Sequence, residues 1–140
     1  MKKQHVRSIL VLSLLLVAGS AFAQTINLRS NVPFSFNAAG KSMPAGQYSI
    51  KTLGVSDGKS LALQGSEPGA VMILSANSSE KRNPADATKL VFHVYGSEYF
   101  LSEIWVAGNN LGHQIPVSTR ERELAKGSSS QDVNVLAQVR

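Results

Sequence analysis

Residues 89–106 read KLVFHVYGSEYFLSEIWV, and this stretch decides the fold. Two runs rich in β-branched and aromatic residues flank Gly96 and Ser97, which predicts a β-hairpin. A two-residue turn at Gly96-Ser97 would set Glu103 beside Leu90, Phe92, Val94 and Leu101. A three-residue turn, Gly96-Ser97-Glu98, sorts the side chains better. It gathers Leu90, Phe92, Val94, Phe100, Ile104 and Val106 on one face, interrupted by Ser102. The other face then carries Lys89, His93, Tyr95, Tyr99, Glu103 and Trp105. A slip of one residue exchanges the faces, so the cleaner sorting is the one expected.

Outward from this hairpin the pattern stays that of strands and turns. Val32-Pro33-Phe34-Ser35-Phe36 alternates, with Val32, Phe34 and Phe36 on one side. Asn37 to Lys41 and Pro44-Ala45-Gly46 read as turns. A strand from Gln47 to Ser56 leads into Asp57-Gly58, a strong hairpin signal, which puts Tyr48, Ile50, Leu61 and Leu63 on a common side. Ala70 to Leu74 is continuously apolar, as expected of a strand covered on both faces. Asn77 to Thr88 is polar, contains Asn83-Pro84, and reads as a surface loop. Ser118-Thr119-Arg120-Glu121 fits a capping box and predicts a short helix to about Lys126. Gly127-Ser128-Ser129-Ser130 reads as a flexible linker, and the residues after it as a loose tail or an added edge strand.

The first 23 residues have the layout of a secretory signal peptide. Lys2, Lys3 and Arg7 precede an apolar run from Ile9 to Ala18, and Ala21-Phe22-Ala23 supplies a cleavage site before Gln24. The apolar run is shorter than the roughly 20 residues a membrane span needs. The expected organisation is therefore a cleaved leader at 1–23, a β domain at 24–126, and a linker with tail or edge strand at 127–140. The expected location is periplasmic or extracellular.

Composition narrows the chemistry further. The chain of 140 residues has no cysteine, which excludes disulfides, thiolate nucleophiles and thiolate metal sites. Of its 14 basic residues, three lie in the leader, leaving 11 against 9 acids and a charge of +2. Nucleic-acid binders of this size carry a concentrated basic face, whereas the densest charge here, Arg120-Glu121-Arg122-Glu123, alternates in sign. Nucleic acid is not an expected partner. Gly54 to Ser60 and Gly40-Lys41-Ser42 miss the spacing of a phosphate loop. Two histidines, His93 and His113, follow the leader, and no pair stands at metal-ligand spacing. No cofactor, metal site or serine-nucleophile elbow is indicated.

Three segments together resemble a group of small exported β-rich bacterial proteins without an established activity. They are Val32 to Phe36 with Gly40-Lys41 and Met43-Pro44-Ala45-Gly46-Gln47-Tyr48; Lys89 to Gly96; and Tyr99 to Trp105, closed by Arg120-Glu121-Arg122-Glu123. Met43 stands where the group has leucine. The resemblance implies an exported single-domain β-protein and brings no catalytic residues with it.

The expected fold is all-β: a single antiparallel sandwich or small open barrel of about seven strands with one short late helix. Three functions are open. A non-enzymatic exported module would bind a protein, a glycan or an envelope surface through His93, Tyr95, Tyr99, Glu103 and Trp105, with Trp105 in solvent. A small barrel would hold an apolar ligand among Phe34, Phe36, Phe92 and Phe100. An enzyme acting on an envelope polymer would need His93, Glu103 and Glu98 to converge.

Overall fold

The computed structural model describes residues 25–54, 59–67 and 71–140. The leader, with Ala21, Ala23 and Gln24, and the Asp57-Gly58 turn lie outside the described residues. Eleven strands join one sheet: β1 (Asn27–Val32), β2 (Phe36–Ala38), β3 (Lys41–Met43), β4 (Gly46–Thr52), β5 (Ser60–Gly65), β6 (Val71–Ser75), β7 (Asn77–Glu80), β8 (Lys89–Tyr95), β9 (Glu98–Trp105), β10 (Leu111–Gln114) and β11 (Gln131–Val139). One helix, α1 (Thr119–Gly127), precedes the last strand. The order is β3-β2-β9-β8-β11-β1-β4-β5-β6, and β10 bridges β9 to β7. Every pairing is antiparallel except the contact of β2 with β9 at Asn37 and Phe100.

The sheet is open and curled into a half-barrel, and aromatic contacts show how far it bends. Phe36 on β2 and Tyr48 on β4 lie five inter-strand steps apart in the order. In a flat sheet, steps of about 4.8 Å would separate them by roughly 24 Å. Their ring centroids are 5.1 Å apart. The concave face thus closes on itself around Leu28, Ile50, Leu61, Leu63, Leu90, Phe92 and Ile104, all buried. At the β2–β3 turn, Ala39 (φ +48) and Gly40 (φ +82) both take positive φ between the paired Ala38 and Lys41, the backbone a two-residue hairpin turn demands.

Four local expectations are corrected. The segment after Ser130 is neither tail nor edge: β11 pairs with β8 on one side and β1 on the other. The β4–β5 hairpin keeps its expected faces, but β4 ends at Thr52 and Leu53 already bonds Ser60, so seven residues rather than the two of an Asp57-Gly58 turn separate the strands. Its register is offset by two, the smallest slip that preserves both faces. β6 is not covered on both faces. It ends the sheet, with Val71 and Ile73 half exposed. The loop expected from Asn77 begins with β7, which pairs with β10.

Helix α1 forms as its start signal predicts. The Ser118 side chain accepts the Glu121 backbone N–H at 3.2 Å, satisfying one of the free donors of the first turn. Among the described residues no helix is long and apolar enough to cross a membrane.

Candidate functional site

The β8–β9 hairpin resolves its two possible registers by using both. Near the turn, Tyr95 pairs with Glu98 and Phe92 with Leu101, as a two-residue Gly96-Ser97 turn requires. A β-bulge at Ser102 then inserts one extra residue. Beyond it Val91 pairs with Glu103 and Lys89 with Trp105, the register of the three-residue turn. The bulge thus keeps Leu101 and Ile104 both inward and leaves Ser102 and Glu103 on the outer side.

This divides the five expected binding residues. Tyr99 goes to the concave side, where it stacks on Phe34 with centroids 3.9 Å apart. Phe100 takes the outer face instead, against Tyr95. His93, Tyr95, Glu103 and Trp105 remain on the outer face, but it is not open. Trp105 has 0% exposure, packed with Val91 and Ala85. A Cβ at Gly112 on β10 would stand 2.7 Å from its indole, so only glycine lets β10 lie across the ring. The Trp105 Nε1–H donates to Glu103 Oε2 at 2.6 Å. Lys81 Nζ lies 4.1 Å from the ring centroid and 3.9 Å from that carboxylate. Glu103 therefore serves the buried indole, and the expected solvent-exposed Trp105 is corrected.

His93 joins a second cluster. Its Nδ1 lies 2.7 Å from Glu121 Oε1, and its Nε2 lies 3.0 Å from Ser102 Oγ and 3.8 Å from Asp132 Oδ1. With an ionised Glu121 accepting from Nδ1–H, a neutral ring accepts the Ser102 hydroxyl at Nε2. The order hydroxyl, imidazole, carboxylate is that of an activated nucleophile. Its surroundings are poor for that task. Ser102 and Glu121 are each only 4% exposed, and Asp132 would set a negative charge beside any oxyanion formed at Ser102. The chain's physical effect is to pin α1 to the sheet. Arg120 adds a forked pair to Glu98 at 2.6 and 3.2 Å, which holds the Glu98 carboxyl below its ordinary range. Hence Glu98, Glu103 and His93 do not converge. Each has its own partner.

Nor do the four phenylalanines line one cavity. Phe34 and Phe36 pack edge-on against Phe92 with centroids 5.1 and 5.3 Å apart, and Phe100 lies on the other side of the sheet.

An open groove of about 850 Å³ lies elsewhere, over β11, β1, β4 and β5. Across it runs a row of directly paired residues: Gln138 opposite Arg29, Arg29 opposite Ser49, and Ser49 opposite Gln64. Asn31, Gln47 and Asn134 flank the row. Arg29, Asn31, Gln47, Gln64, Asn134 and Gln138 are all exposed. The sequence signal for this surface was the polar alternation of Arg29 and Asn31 and of Gln47, Ser49 and Lys51. Its continuation on β11 gives no such signal, because nothing local in residues 131–139 shows that the strand docks between β8 and β1. Comparisons with protein-family models, curated proteins and solved structures find no match to this chain.

Proposed function

We propose that this chain is an exported binding module that takes an extended, hydroxyl-bearing polymer of an envelope or extracellular surface into the groove over β11, β1, β4 and β5. The observation that carries the reading is the row Gln138, Arg29, Ser49, Gln64, a line of polar side chains on four mutually paired strands. Each side-chain amide offers both donor and acceptor, which matches a hydroxyl, itself donor and acceptor. Strands fixed on both sides hold the backbone under these groups in place, so binding has only their side chains to order. Export rests on the leader sequence, and the first residue of the secreted product should be Gln24.

The test is affinity electrophoresis of the purified protein through gels carrying soluble polysaccharides. Retardation is expected in at least one. The paired change Gln64→Ala with Gln138→Ala should weaken it about tenfold, or about 1.4 kcal/mol, with an unchanged unfolding midpoint. Undiminished retardation in that variant rejects the groove as the site.

A further inference from the structure

The charges of this molecule are segregated along the strand order, and that asymmetry names a ligand class for the groove. Among the described residues β1, β4, β5 and β6 carry no acid. The ion pairs lie along the other half of the strand order, around β8, β9 and α1: Lys81 with Glu103, Lys89 with Asp86, and Arg120 with Glu98. Arg29 stands in the polar row, and a second row runs beside it. Arg140 donates its backbone N–H to Asn27, and Asn27 pairs with Lys51. Asn27, Arg29 and Lys51 share the outer face, since their strand neighbours Leu28 and Ile50 point into the core. Arg29, Lys51 and Arg140 are exposed, and none takes an ion pair among the described residues. The strands of the groove are flanked in sequence by Glu67, beyond the end of β5, and β11 carries Asp132 near its start.

Resting on the groove reading above, we infer that the ligand is an acidic polysaccharide, a chain whose sugars carry both hydroxyls and carboxylates. The guanidinium of Arg29 presents a planar fork that fits a carboxylate through two parallel hydrogen bonds. Lys51 and Arg140 extend the positive field along the neighbouring row, and Gln64, Gln138 and Ser49 face hydroxyls. A single-stranded nucleic acid would want exposed aromatic rings for its bases to stack on. The groove's one aromatic, Tyr48, is buried. A protein partner would want a central aromatic anchor, which this face lacks.

The experiment is titration calorimetry of the purified protein with polygalacturonate, neutral dextran and single-stranded DNA. Polygalacturonate should bind, and dextran and DNA should bind at least about tenfold more weakly, a gap of about 1.4 kcal/mol. Arg29→Gln with Lys51→Gln should remove most of the preference while leaving the unfolding midpoint in place. Raising ionic strength from about 0.1 to about 1 M shortens the screening length from roughly 10 to roughly 3 Å, and affinity should fall with it. Equal binding of dextran, insensitive to Arg29→Gln but lost in the Gln64→Ala, Gln138→Ala variant, overturns the acidic ligand while the groove reading stands. Tighter binding of DNA also overturns it. Binding of none of the three to the folded protein overturns the inference, and absence of retardation in every polysaccharide gel overturns the groove reading itself.

Discussion

At the scale of the residue, the outer layer depends on one glycine. Gly112 lets β10 cross the face of Trp105, and an added Cβ would meet the indole at 2.7 Å. Neither the ring, bonded to Glu103 and capped by Lys81, nor the paired strand can withdraw without losing partners. Gly112→Ala should therefore destabilise the protein by about 1–3 kcal/mol, the usual range for overpacking. Urea unfolding would measure this, and the emission of Trp105, the single tryptophan, should shift to the red as the ring loosens. An unchanged midpoint and spectrum would mean that the strand moves freely over the ring. Glu121 shows a different residue-scale lesson. Its position three after Ser118 reads as a capping box, and Ser118 does cap the helix. The carboxylate, however, spans to His93, 28 positions earlier. The local half of that role was visible in the sequence, and the distant half was not.

At the scale of the element, β11 carries the heaviest consequence. It bonds β8 through six residue pairs and β1 through three, so ending the chain after Gly127 would open two edges in mid-sheet. Such a truncation should abolish cooperative unfolding and most of the β signal in circular dichroism, whereas loss of a mere tail would leave both intact. The sequence hid this strand for a physical reason. Val133, Val135 and Ala137 alternate correctly for one buried face, but Gly127 to Ser130 announces only flexibility, not where the next segment docks. The hairpins at β4–β5 and β8–β9 were legible because contacts close in sequence dictate them. In β4–β5 this extends to which side chains share a face, whereas Tyr99 and Phe100 exchange faces in β8–β9. Their fine register was not. The Ser102 bulge reconciles two turn lengths that each sorted half of the residues. β6 misled in the opposite direction. Val71 to Leu74 is apolar enough for a doubly covered strand, yet the sheet ends there, and only the assembled order of strands reveals an edge.

At the scale of the whole molecule, all-β character and the late helix followed from turn spacing and capping, while the curl that joins Phe36 to Tyr48 and the separation of charge between the two halves of the strand order arise only once the strands are ordered. The same assembly buries titratable groups and so shapes stability against pH. His113 on β10 is half-buried between Ile104 and Ser78, and burial holds its imidazole below the ordinary 6.5. The unfolded chain then takes up the proton first, so stability is full above about pH 6.5 and is lost as pH falls towards the depressed folded value. Tyr48 shows the reverse sign. Burial raises its phenol above the ordinary 10.0, so the unfolded chain ionises first, and stability falls as pH climbs past about 10. Glu98 and Asp86, held low by Arg120 and Lys89, add a separate loss at more acidic pH, below the usual carboxylate value near 4. Urea midpoints should thus be flat between about pH 7 and 10 and decline on either side. His113→Gln, which keeps a polar side chain without the titration, should flatten the first acid step alone, and Tyr48→Phe should flatten the alkaline one. If His113→Gln leaves the fall below about pH 6.5 unchanged, another group carries that step, and the burial of β10 between β9 and β7 is looser than its pairing implies.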